Sequence, residues 1–213
     1  MIVGVSLMAR TCKALAQSSL WIHVPTQLSA APRLTAAKLS SSELKSIAGV
    51  VRRWGEAEKG GCDGKDELEE LVERIKVQSI PLSPSQKVLL VEAGMGCARG
   101  GRGANGVMWV IRLDGGVAVT LAGPRDGFSG WLYSILRSAN DGYRDIVLGW
   151  HMSAVETDMS YFRFDGKRYR LLGCATGLAD EMGHMTIEPK QQSAKRSQNQ
   201  ISDGLNCPKG GWG

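Results

Sequence analysis

The spacing of apolar positions changes along this chain. From residue 41 to residue 54 it is helical: Leu44, Ile47, Ala48, Val51 and Trp54 fall on one side of a 3.6-residue repeat. Ser40-Ser41-Ser42-Glu43 sets a hydroxyl three residues ahead of a carboxylate, the pattern of a capping box, so a helix is expected over 41–54. Gly60-Gly61 interrupts it. A second helix is expected over 65–75, where Leu68, Leu71, Val72 and Ile75 share one face and the acids come early, on the side the helix dipole favours. Beyond this point the period drops to two. Strands are expected at 75–80, 87–92, 106–113, 117–122, 130–137, 143–150, 158–164 and 167–172. They are short and separated by Gly, Asp and Asn turns, which predicts antiparallel neighbours. The pattern therefore predicts an α+β fold: two N-terminal helices packed on a curved antiparallel β-meander of six to eight strands. Trp109, Leu121, Ile135, Ile146, Leu148, Trp150, Phe162 and Phe164 are its expected core.

Two hairpins can be argued in register. A three-residue loop at Asp114-Gly115-Gly116 sets Leu113 opposite Val117, Ile111 opposite Val119 and Trp109 opposite Leu121, all on one face. A two-residue loop mixes faces, so one buried face selects the longer loop. Asp165-Gly166 reads as a two-residue turn, pairing Phe164 with Lys167 and Phe162 with Tyr169. On its other face Arg163 then lies opposite Arg168, and Tyr161 opposite Arg170. Like charges across a ladder are destabilising. Water, Glu156 or Asp158 could neutralise them; so could an anionic ligand or an acidic protein surface.

The flanks differ from this middle. Residues 1–39 read as leader and linker: Ile2 to Ala9 is apolar, Ala14-Leu15-Ala16 fits a small-x-small cleavage site, and residues 25–40 are rich in Pro, Ala, Ser and Thr. A degenerate export signal, an organelle transit segment and a frayed N-terminus are the three readings. The α+β domain is expected to span 40–174. Residues 175–213 lack periodicity and read as a disordered polar tail.

Charge follows the same divisions. The net is +5, distributed as +4 over 1–40, −2 over 41–92, +3 over 93–174 and 0 over 175–213. Nucleic-acid binding calls for a concentrated basic footprint, and this distribution argues against it. Hydrophobic residues at 43% and charged residues at 22% are ordinary globular usage, which excludes wholesale disorder. No apolar run reaches the length of a membrane-spanning helix. Setting aside Cys12 in the leader and Cys207 in the tail leaves Cys62, Cys97 and Cys174, an odd number. In an oxidising compartment one bridge is expected: Cys97–Cys174 ties the sheet, and Cys62 to either ties helix to sheet. The alternative is three reduced thiols. No Cys/His spacing fits a structural metal, so none is expected.

The chemistry-bearing motifs are few. The Gly-rich stretch 94–103 follows an apolar strand, but the segment after it, Val107-Met108-Trp109-Val110-Ile111, is a strand pattern. A phosphate loop needs a helix there, so no nucleotide cofactor is expected. Its Arg99-Gly100-Gly101-Arg102-Gly103 is an isolated RGG-like element without stacking aromatics. Asn140-Asp141-Gly142-Tyr143-Arg144-Asp145-Ile146-Val147-Leu148-Gly149 resembles the loop and strand of an FG-GAP (integrin-α-like) repeat. Asp141, Gly142 and Asp145 match its later positions, while Arg137 and Ala139 stand where two calcium ligands belong. The resemblance therefore implies the loop without the metal. More widely, residues 33–174 resemble a group of small, uncharacterised exported bacterial proteins. The resemblance rests on Met108-Trp109-Val110, GYRDIVLGWHMSA and YFRFDGKRYR. It implies a periplasmic or extracellular location and offers no activity to transfer.

His151 near Glu156 and Asp158 is the sequence's candidate for acid–base catalysis, which would make the protein a small hydrolase. No GxSxG, HExxH or Cys–His signature accompanies it. The favoured expectation is a non-enzymatic binding module for an anionic ligand or an envelope protein, with Arg163, Arg168, Arg170 and Tyr161 as its surface. A purely structural domain is the third reading.

Overall fold

In a computed structural model of the chain, the described residues are 28, 33–57, 65–93, 99–100, 105–182 and 185–189. Helix α1 (Ser41–Ala57) begins where the capping box placed it. The Ser40 N–H donates to Glu43 Oε2 at 2.7 Å and the Glu43 N–H donates to Ser40 Oγ at 3.2 Å. That backbone bond, together with Lys87, holds the Glu43 carboxyl below its ordinary range. Helix α2 (Lys65–Glu73) stops two residues short of the expected end.

Among the described residues eleven strands follow or flank the helices, more than the six to eight expected. They are β1 (Thr35–Ala36), β2 (Lys76–Ser79), β3 (Val88–Ala93), β4 (Arg99–Gly100), β5 (Asn105–Asp114), β6 (Val117–Ala122), β7 (Ser129–Asn140), β8 (Tyr143–His151), β9 (Glu156–Phe164), β10 (Tyr169–Ala179) and β11 (Met185–Pro189). All pairings are antiparallel, in the order β1-β2-β3-β5-β7-β8-β9-β10-β11, with β4 and β6 joined to β5. The ordered sheet therefore reaches into both expected flanks. β1 lies within residues 1–39, the stretch read as leader and linker, and β10 and β11 carry the sheet to Pro189, inside the stretch read as a disordered tail. Residues 190–213 and the proposed cleavage site lie outside the described residues.

The sheet folds over on itself at β7. Gly106 pairs with Gly130, whose φ is +100°. A Cβ at Gly130 would sit 1.9 Å from the Gly149 carbonyl oxygen, so only glycine allows the two strands to pass there. The two halves then face each other over a shared core that includes Leu90, Met108, Val110, Leu121, Phe128, Ile146, Leu148, Phe162 and Phe164. A second core lies on the outer face of β3 and β5: Leu89, Val91, Trp109 and Ile111 meet Ile47, Val51 and Trp54 of α1 and Leu71 of α2. Trp54 and Trp109 pack edge-to-face, 5.4 Å between centroids.

This arrangement corrects the expected β5–β6 hairpin. The loop is the two-residue Gly115-Gly116, both at positive φ, and Asp114 pairs with Val117. A bulge between Val110 and Ile111 absorbs the offset. The argument for a longer loop assumed one buried face. β5 is buried on both faces, so side-chain alternation does not choose the register. Trp109 accordingly lies on the helix side while Val119 packs into the core between the halves. Trp150, expected in the core, is only half-buried.

Candidate functional site

The last hairpin turns through four residues, Asp165 to Arg168, not two. Asp165 Oδ1 accepts the N–H groups of Lys167 at 2.9 Å and Arg168 at 2.8 Å, and Gly166 takes φ +94°. This side-chain-capped turn pulls both residues out of the ladder. Phe164 then pairs with Tyr169, and Arg163 with Arg170 in place of Arg168. As far as Leu171 this slip of two keeps each side chain on its expected face; a bulge between Leu171 and Gly173 then shifts the register by one more.

Each of the three arginines meets a carboxylate, none of them Glu156 or Asp158. Arg163 grips Asp145, with Nη2 to Oδ2 at 2.7 Å and Nε to Oδ1 at 3.1 Å. Asp145 is only 3% exposed and also accepts Ser138 Oγ at 2.7 Å. Arg170 donates to Asp165 at 2.8 Å, and Arg168 reaches Asp126 at 3.5 Å. The Arg168 and Lys167 amides and the Arg170 side chain together hold the Asp165 carboxyl well below the usual carboxylate range. Asp145, one of the FG-GAP-like positions, is thus occupied by a guanidinium, and Asp141-Gly142 forms the β7–β8 turn with φ of 48° and 77°.

Tyr161 shares the Arg163 face but is buried, at 2% exposure. Its hydroxyl has no hydrogen-bond partner among the described residues, and burial pushes its pKa up. It belongs to a third apolar cluster with Val147, Met159 and Ala175, against which Leu28, Leu136 and Ile187 pack. On this face the Tyr133 hydroxyl lies 3.2 Å from Met185 Sδ. β7 and β11 would stand roughly 19 Å apart in a flat sheet, so the contact requires this half to curl.

His151, Glu156 and Asp158 are not brought together. His151 is exposed and stacks on Trp131, 4.0 Å between centroids. It pairs with Thr157, so it lies on the opposite face from Asp158, which pairs with Trp150. Asp158 is buried and accepts Thr176 Oγ1 at 3.1 Å.

The cavity the sequence did not suggest lies between α1 and the loop after β6. It measures about 380 Å³ and is floored by Trp54 and Trp109, with Arg53 and Arg125 among its lining and Thr120 beside them. Gly123 makes room for it: a Cβ there would lie 2.9 Å from Trp109 Cδ1. The 3-10 turn Pro124–Asp126 forms its rim, fixed by the Gly123 N–H donating to Asp126 Oδ2 at 3.1 Å. Asp126 is also the partner of Arg168, so the arginine hairpin braces the cleft from behind. Arg53 makes no ion pair among the described residues. No motif marks this site in the sequence. Its only local signals are an Arg-Trp pair at the end of α1 and a Gly-Pro-Arg-Asp turn 70 residues away in the chain.

Cys174 is disulfide-bonded. The expected pairings with Cys62 and Cys97 fall outside the described residues. Among the described residues no helix is long and apolar enough to cross a membrane, and no group of three His, Cys, Asp or Glu side chains is placed to hold a metal. No family model, no curated protein and no solved structure matches this chain.

Proposed function

We propose that the protein is a non-enzymatic, exported binding module that takes a small anionic ligand in the cleft between α1 and the Pro124–Asp126 turn. The observation that carries the reading is the placement of Arg53 and Arg125 beside a tryptophan floor in a cavity of about 380 Å³. That volume is in the range of small-molecule sites, roughly 300–1,000 Å³. Guanidinium groups pair bidentately with carboxylate, sulfate or phosphate, and an indole floor accepts the ligand's apolar body. The arginine hairpin supports the same site at one remove, since its charges are spent on Asp145, Asp165 and Asp126. The disulfide at Cys174 supports an oxidising compartment.

Tryptophan fluorescence tests this directly, because Trp54 and Trp109 sit at the site. Titration with a sulfated uronate disaccharide is expected to give a saturable change. Arg53→Ala/Arg125→Ala should weaken it at least about tenfold, a loss of about 1.4 kcal/mol. Arg170→Ala should leave it unchanged. A wild-type protein that shows no saturable change, or a double variant that binds as well, removes the reading.

A further inference from the structure

One end of the second half-sheet carries most of the exposed large apolar side chains of the described residues. Met152 is 52% exposed, Val155 55%, Leu178 40% and Met182 79%; Leu44 and Val117 are the others, elsewhere. The backbone gathers the four. The Met152 N–H donates to the Glu156 carbonyl at 3.1 Å, the Ala179 N–H donates to the Val155 carbonyl at 2.8 Å, and Leu178 pairs with Glu156. Met182 follows in a turn closed by its own N–H on Asp180 Oδ1 at 2.9 Å. Apolar groups that are this exposed and this close together mark a contact surface, and methionine side chains adapt to irregular partners.

Charge identifies the partner. Residues 150–157 and 176–182, which build this end, contain no lysine or arginine. They hold Glu156, Asp180 and Glu181, in a chain whose net charge is +5. Glu156, Asp180 and Glu181 lie beside the apolar four in sequence and in space. We infer that this end docks a cationic amphipathic segment of another protein, its apolar face on Met152, Val155, Leu178 and Met182 and its lysines or arginines on the acidic rim. A second copy of the chain would bring acid against acid, and an anionic bilayer would be repelled. The surface is separate from the cleft proposed above and stands or falls without it.

The probe is a fluorescent leucine/lysine peptide of about 18 residues, five helical turns, patterned with one apolar face. Anisotropy is read against the full chain. Saturable binding is expected despite the protein's positive net charge, and a scrambled peptide of the same composition should not bind. Met152→Ser/Leu178→Ser/Met182→Ser should weaken binding at least about tenfold. Glu156→Gln/Glu181→Gln should weaken it severalfold and flatten its salt dependence. Leu44→Ser/Val117→Ser, equally exposed but elsewhere, should leave it unchanged. All these positions are at least partly exposed, so melting temperatures should stay close to wild type. The inference is overturned if the wild type fails to bind, if the triple-serine variant binds equally well, or if sedimentation shows a wild-type dimer that this variant splits.

Discussion

The two halves of the sheet close off their outer faces by different means. In the first, β3 and β5 are covered by α1 and α2, and the strands read as nearly unbroken apolar runs: Val88 to Val91 and Val107 to Ile111 are buried throughout. In the second, no helix packs on β8 and β9 among the described residues. The outer face divides into an apolar cluster around Val147 and Tyr161 and a polar knot of Ser138, Asp145 and Arg163. The two halves therefore tolerate change differently. A helix-covered face depends on packing volume. A curled, uncovered face depends on each buried polar group having a partner, and among the described residues the Tyr161 hydroxyl and Ser134 Oγ lack one.

The largest test falls on the covered half. Trp109→Ala removes a fully buried indole from beneath α1 and is expected to cost about 3–5 kcal/mol in urea unfolding. A cost below that of an ordinary surface substitution would mean the helices are not held by this face. Next comes the polar knot. Asp145→Ala leaves a half-buried guanidinium without its carboxylate and should cost about 2–3 kcal/mol by the same measurement. If it proves neutral, the uncovered half does not depend on polar pairing, and the contrast fails.

Two smaller effects sharpen the comparison. Tyr161→Phe removes a buried hydroxyl that has no hydrogen bond among the described residues and is expected to stabilise the fold by about 1 kcal/mol. Destabilisation would instead show that the hydroxyl finds a partner. Asp165→Asn has the smallest effect and a defined pH dependence. The folded carboxyl titrates below its unfolded value of about 3.9. Its stabilising contribution is therefore complete above about pH 4 and is lost as pH falls through the depressed folded pKa. Thermal melts should show wild type above the variant at neutral pH, with the gap closing toward strongly acid pH. A gap that widens in acid would reverse the assignment.

The candidate cleft was much less legible in the sequence than the fold. Helix α1 announces itself through Ser40 and Glu43, three residues apart, and the strands through alternation. The partners of the arginines are far away: Asp145 lies 18 residues from Arg163, and Asp126 on another loop reaches Arg168. Nearby Glu156 and Asp158 were the natural guesses from sequence, and sheet order, not sequence distance, ruled them out. Arg53, Trp54, Trp109 and Arg125 likewise come together only because β5 and β6 pass under α1.

By itself, the chain determined its element types and most of their limits, because periodicity, capping and turn chemistry act over a few residues. Around the last turn it also determined which side chains share a face, since the two-residue slip at Asp165 changed partners and not faces as far as Leu171. Tertiary structure decided which layer each face meets. β5 is apolar on both sides, so only the packing of helices on one side and the folded-over sheet on the other could place Trp109 and Val119 in different cores. Burial on both faces erases the alternation from which register and sidedness are read.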